Sequence, residues 1–239
     1  MRACVLVALV VGAALGAGAR PVHGQAVTAQ PVARGDVTLF TGSFSIDTDE
    51  IRVREVEPYH ERWAHMALFE ASAGYYWTDH LKTEIGALWT TDGETSGSGV
   101  ITLPAVQVGW VYHTNRFSAR QFGIGQLWQF GRNAMFHPWI GAGVDVVHIE
   151  HELDRPAQFI YVSTSPGRPA LSLPVEATVL RSVTNRALPY AAAGFKAYFN
   201  ERGFVRTDVK LQLRGGVEQV AWKIGVGVDF WTAHQWRQQ

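Results

Sequence analysis

His148, Glu150, His151, Glu152 and Asp154 form the densest set of metal-ligand residue types in the chain. Imidazole and carboxylate together suit a divalent cation. Their spacing does not match the i, i+4 pair of a helical H-E-x-x-H site. On a strand, the odd separation of His148 and His151 sends their rings to opposite faces, so only a loop after Glu150 gathers His151, Glu152 and Asp154 around one ion. A solvated strand-to-loop junction accounts for the run without an ion, and no metal site is expected. A second set, Asp47, Asp49, Glu50, His60 and His65, carries groups able to act as general acid or base or to activate a nucleophile. No serine stands two residues from a histidine along a strand to complete such a site, and the chain reads as a non-enzyme. Gly123-Ile124-Gly125, Gly141-Ala142-Gly143 and Gly225-Val226-Gly227 share their spacing with phosphate loops, but no helical pattern follows any of them. No cofactor is expected.

The remaining ionisable residues are more informative, because they alternate with apolar ones. In the stretch from Val220 to Phe230, the residues Val220, Trp222, Ile224, Val226, Val228 and Phe230 fall on one strand face. Ala221, Lys223, Gly225, Gly227 and Asp229 fall on the other, so one face must meet an apolar medium while the other is small or charged. The segment Phe204 to Arg214 repeats the pattern, with Val205, Thr207, Val209, Leu211 and Leu213 against Arg206, Asp208, Lys210 and Gln212. The segment Leu188 to Phe199 sets Ala191, Ala193, Phe195 and Phe199 against Tyr190, Gly194, Lys196 and Tyr198. Phe136 to Glu150 places Ile140, Ala142, Val144 and Val146 opposite Gly141, Gly143 and Asp145. Lys82, Glu84, Asp145, Lys196, Arg206, Asp208, Lys210, Lys223 and Asp229 therefore point to a common interior. Opposite charges on adjacent strands attract, so they are expected to close that interior as an ion-paired network rather than line a pore. The glycines on the same face make room for larger side chains.

Further candidate strands are Asp36 to Ile46, Trp63 to Trp77, Leu81 to Thr91, Val100 to His113 and Ser118 to Phe130. Of the nine, Val100 to His113 is expected outside the membrane, since Pro104 and a Gly/Ser-rich leader mark it as an extension of a hairpin. That leaves eight strands, and a ten-stranded arrangement is possible if Leu171 to Leu180 supplies another. Thr78 to His80, Arg132-Asn133 and Asn200 to Gly203 read as short turns at one end. Asp47 to Arg62, Asp92 to Phe117 and Leu153 to Ala187 read as long loops at the other, with Gly215-Gly216 a short turn there. Tyr75, Trp77, Trp89, Trp128, Phe130, Trp139, Phe199, Phe230 and Trp231 cluster at strand ends, where headgroup interfaces favour large aromatics.

The N-terminal residues 1–24 have Arg2 followed by a small and apolar run, with cleavage options after Ala19 and Gly24, and read as a secretory signal peptide. Residues 25–35 form a lead-in, 36–231 a barrel, and 232–239 a short polar tail. Cys4, the only cysteine, lies in the signal, so no disulfide scaffold is expected. With 21 basic and 21 acidic side chains, no electrostatic case exists for a nucleic-acid partner.

Lys223, Gly225, Val228 and Phe230 fill the polar, glycine, apolar and aromatic places of a pattern that resembles the C-terminal assembly signal of bacterial outer-membrane β-barrels. From about Gly35 to Trp231 the chain resembles the small outer-membrane barrels of the OmpA and OmpX kind. That resemblance implies an all-β, antiparallel, up-and-down transmembrane barrel in the outer membrane of a Gram-negative envelope. It further implies lipid and the barrel assembly machinery as partners, and loops available to an extracellular ligand. The function expected is a structural or loop-mediated one, with a narrow small-solute channel or an outer-membrane lipid-modifying enzyme as alternatives. A soluble lipocalin-like barrel, with its apolar faces turned inward, satisfies the same alternation.

Overall fold

The computed structural model describes residues 35–48, 58–60, 62–103, 106–130, 135–162, 171–200 and 202–230. The signal, lead-in and polar tail lie outside the described residues, as do Trp231 and the Arg132-Asn133 turn. Twelve strands are formed among the described residues. Eight close a ring: β1 (Gly35–Asp47), β3 (Trp63–Tyr76), β4 (Leu81–Thr90), β6 (Val106–Gln129), β7 (Phe136–Arg155), β10 (Thr178–Tyr198), β11 (Gly203–Leu213) and β12 (Val217–Phe230). Each pairs antiparallel with its neighbours, and β1 joins β12 from Gly35↔Phe230 to Ile46↔Gln219 to complete the circle. Closure leaves no edge within the ring, which is what a sheet in hydrocarbon requires. Of the possible eight or ten strands, the ring has eight.

Turns at one end are tight. Thr78 Oγ1 accepts the amides of His80 and Leu81, and Asn200 Oδ1 accepts that of Arg202, so the polar turn residues replace ladder bonds the strands no longer make. At the other end Gly215 supplies the positive φ of 72° that the β11–β12 turn needs.

On that other end the sequence expectation is corrected. Asp92 to Phe117 is not a loop: β5 (Gly93–Leu103) pairs with the upper half of β6, from Gly93↔Phe117 to Leu103↔Val106. Val100 to His113 is therefore divided between two strands of one long hairpin, with β2 (Pro58–His60) along its far edge. Likewise β7 and β10 stay paired up to Arg155↔Thr178, far beyond the Glu150 and Leu188 limits read from alternation. Above these limits each face mixes polar and apolar residues, His151 with Leu153 inside and Glu152 and Arg181 with Val179 and Val183 outside, so alternation of apolar and polar residues no longer reports the strand. The result is a tall wall of β5, β6, β7 and β10 on one side of a shorter ring. Between β7 and β10, β8 (Gln158–Val162) and β9 (Leu171–Val175) form a separate hairpin. Ile160, Leu173 and Val175 pack it against Val111 of β6, and the Gln158 amide bonds both the N–H and C=O of Tyr112, standing in for a strand neighbour.

Candidate functional site

The outside of the ring is apolar over a continuous belt. Val37, Leu39, Ile85, Phe122, Ile124, Ile140, Val144, Val146, Trp222, Ile224, Val226 and Val228 are all exposed, with Leu39 and Val226 near 60%. Tyr75, Trp77, Trp128, Phe136, Phe199 and Phe230 rim the belt at the turn end, and Phe69, Trp89 and Trp222 at the loop end. From Trp222 to Phe230 a strand tilted by about 40° rises about 20 Å, close to the height of a bilayer's apolar band. So large an exposed apolar surface needs lipid around it. This disposes of the lipocalin-like alternative, because the apolar faces point out.

Inside, five cations and six carboxylates share the turn-end half. Lys82 Nζ holds Asp36 at 2.9 Å and Glu84 at 2.6 Å, and Lys196 Nζ holds Asp229 at 2.6 Å and Asp36 at 3.3 Å. Tyr76 donates its hydroxyl to Asp36 at 2.9 Å, and Tyr198 donates to Asp229. One level higher, Arg206 forks onto Asp208 through Nε at 2.8 Å and Nη2 at 2.9 Å, and turns its other edge to Glu84. Lys223 lies between Glu70 and Asp208, and Lys210 pairs with Asp145, which also accepts from Gln212. Gln121 donates to Gln219 at 2.8 Å and receives Gln212 at 3.0 Å. Aromatic faces cover the cations: Lys196 stands 3.7 Å from the Phe204 ring centre, and Arg206 4.5 Å from that of Trp139. Cavities of about 20 and 10 Å³ remain within this layer, each room for about one water.

Lys82, Glu84, Asp145, Lys196, Arg206, Asp208, Lys210, Lys223 and Asp229 are thus all buried, seven of them joined through Asp36 and Arg206 in one ion-paired set and Lys210 with Asp145 in a second that runs on through the glutamines. Sequence reading missed Asp36, Glu70, Tyr76, Gln121 and Gln219, and placed Gln212 on the inner face correctly. Asp36 and Glu70 share strand faces with Thr38 and Ser72, where no clean contrast between faces exists; only the parity of β1 and β3 could have assigned them. Gly125 and Gly143 leave the space that Tyr190 fills, and Gly225 the space taken by Phe40.

The interior is not polar throughout, which corrects the expectation of a polar lumen. Phe44, Ile46, Ala64, Met66, Leu68, Leu88, Phe117, Ala119, Val147, Ile149, Leu188 and Ala221 form one buried apolar cluster in the loop-end half. There the ring rises toward water, so an oily filling gains the ordinary hydrophobic stabilisation, about 1.5–3 kcal/mol per large side chain. Inside the lipid belt, where no water competes, paired charges fill the space instead.

The metal-type run does not converge. His148, Glu150, Glu152 and Asp154 face outward, whereas His151 faces in, stacked on Phe117 at 4.6 Å with Nε2 at 2.8 Å from Asn115 Oδ1. Because β7 runs on to Arg155, the loop needed to gather them is not there. Among the described residues no group of three metal-ligating side chains exists. Of the acid–base candidates, Asp47 is gripped by Arg62 at 2.9 Å. Ser45 Oγ lies 2.8 Å from His65 Nδ1 on the outer wall, across the Ser45↔His65 register that links β1 to β3. An activated serine also needs an orienting carboxylate and oxyanion donors, and none is brought to this pair among the described residues. Asp49 and Glu50 lie outside the described residues, and the side chain of His60 is not described. Of the four residues that resemble an assembly signal, Lys223 and Gly225 are inside, and Val228 and Phe230 project outward at the belt's rim.

A closed eight-stranded ring with a lipid-facing belt and a packed interior is a small transmembrane β-barrel. In structure it is similar to the N-terminal β-barrel domain of Pseudomonas aeruginosa OprF, at 16% identity over 83% of this chain and 98% of that one, with a TM-score of 0.45. It is also similar to OprG of the same organism, at 13% identity over 85% and 99%, TM-score 0.48. Ail, the attachment invasion locus protein of Yersinia pestis, matches at 8% identity over 83% and 99%, TM-score 0.44. No protein-family model matches the chain, and no curated protein matches it in sequence.

Proposed function

We infer that the chain is an integral barrel of the bacterial outer membrane whose lumen is sealed and whose tall wall, on the extracellular side, receives an extended segment of a partner protein. The observation that carries this is the edge of β10. From Thr178 to Asn185 it has β7 on one side and, among the described residues, no strand on the other, because β11 meets β10 only at Tyr190↔Gln212 and beyond. An unpaired edge is a template for an added strand. Val179, Val183 and their outward neighbours would supply pockets for alternate side chains. Short turns and both ends of the ring at the opposite end fit a periplasmic placement there.

The sealed interior supports an interaction role over a channel. Eight-residue peptides selected on the folded barrel should slow hydrogen exchange of alternate amides between Thr178 and Asn185 and leave those of β11 unchanged. Selected peptides that protect other regions only would remove the basis of this reading. Planar bilayers containing the barrel should show no stable unitary conductance.

A further inference from the structure

On the outer wall, directly above the apolar belt, the register stacks polar rows across β6, β7 and β10. Arg120, His148 and Asn185 form the lowest row, Ser118, Glu150 and Val183 the second, and Arg116, Glu152 and Arg181 the third. Between the second and third runs a groove of about 350 Å³, reaching to Asp92 beside β5. Two residues along a tilted strand rise about 5 Å, so the groove sits about 10–15 Å above Phe122 and Val146, level with lipid heads rather than tails.

Its walls alternate in sign. Arg116 and Arg181, with side chains 48% and 78% exposed, each engage a carboxylate through Nε: Arg116 with Glu94 at 2.8 Å and Arg181 with Glu152 at 2.6 Å. A guanidinium has five N–H donors, and its terminal pair is the fork that grips phosphate. Glu152 sits between the two, 3.7 Å from Arg116 Nη1, on the strand that separates β6 from β10 by about 10 Å of backbone, two strand spacings. Below, Glu150 lies 3.3 Å from His148 Nε2 and 3.9 Å from Arg120. A simple anion meets attraction from one wall and repulsion from the other. A head bearing both phosphates and hydroxyl donors satisfies both. From β5 to β10 the groove spans about 14 Å, three strand spacings, which a phosphoethanolamine head leaves mostly empty and a phosphorylated disaccharide fills.

We propose that this groove seats the phosphorylated sugar head of an outer-leaflet glycolipid. Arg116 and Arg181 take phosphate oxygens, and Glu150 and Ser118 bond sugar hydroxyls. Arg120 and His148 stand where the head meets its acyl chains. The assignment rests on the outer-membrane orientation inferred above.

The test folds the full mature barrel into phosphatidylcholine vesicles that also contain either a bisphosphorylated glucosamine-disaccharide lipid or phosphatidylethanolamine, extracts it in mild detergent, and measures the lipid retained. Wild type should keep the glycolipid and lose phosphatidylethanolamine. R116Q combined with R181Q should lower retention about tenfold or more, whereas R202Q, at the opposite end of the barrel, leaves it unchanged. Heat-modifiable migration checks that each variant is folded. Equal retention by the folded double variant, or equal retention of phosphatidylethanolamine, overturns the groove assignment. Failure of the wild type to become heat-modifiable in any vesicle overturns the membrane reading instead.

Discussion

Replacing Arg206 by Met keeps most of its volume and removes its charge from the centre of the interior network. The residue is buried at 1% exposure and its side chain makes four hydrogen bonds, two to Asp208 and two to Glu84. Its loss leaves Glu84 with Lys82 at 2.6 Å and Asp208 with Lys223 at 3.5 Å, so each carboxylate keeps one cation and loses its better partner. Breaking a buried ion pair from one side costs about 3–5 kcal/mol, because a charge is left under-compensated where water cannot reach it. The retained lysines place Arg206→Met near about 3 kcal/mol. Neutralising the orphans as well, in Arg206→Met/Glu84→Gln/Asp208→Asn, should recover at least half of that, since it is the uncompensated charge that is expensive. Urea unfolding in lipid vesicles, followed by tryptophan fluorescence and by unboiled gel migration, measures both. A cost below about 1 kcal/mol for the single variant, or no recovery in the triple, would refute the view that these charges hold the barrel together as one network.

Other perturbations probe other surfaces. Val226→Arg, at the middle of the belt, should cost about 2–4 kcal/mol of membrane stability, whereas arginine at the exposed Gly216 turn should be nearly neutral by the same titration. Phe230→Ala should lower the yield of heat-modifiable barrel, since Phe230 closes the β12–β1 register against Gly35, while deletion of residues 232–239 leaves the yield intact; the reverse pattern places the assembly signal elsewhere. His151 stands above the belt, and burial holds its imidazole below the usual value of 6.5, with His113 pushing the same way. Its neutral form is thus favoured in the fold: nothing is lost above about pH 6.5, and stability falls as the pH drops below that value toward the lowered one. Protection of the amides around Asn115 and Phe117, taken relative to their intrinsic exchange rates, should fall on acidification through that window, and His151→Phe should abolish the fall.

How far the fold was legible varies along each strand. Within the belt, lipid outside and charge inside impose opposite demands on successive residues, and β10, β11, β12 and the lower half of β7 could be read face by face. Asp36 and Glu70 escaped because their strands, β1 and β3, mix small, polar and apolar residues on both faces. Above the belt the outer face turns polar, as at Arg120, His148 and Glu150, while the inner face turns apolar, as at Val147 and Ile149. The contrast inverts there, and strands that continue to Arg155 and Thr178 read as loops. The apolar filling of the loop end was hidden for the same reason: Phe44, Leu68 and Leu88 join it only once ring closure brings them together. The pairing of Ser45 with His65 depended on inter-strand register, which no spacing within one strand reveals.

Fractionation of envelopes from cells expressing the full chain tests the central claim most directly. Protein that sediments with outer membranes, stays there through carbonate extraction, and migrates faster on gels before boiling than after is the predicted result, since a closed ladder in lipid opens only on heating. Recovery as a freely soluble periplasmic protein, with the same migration boiled or unboiled, would contradict it.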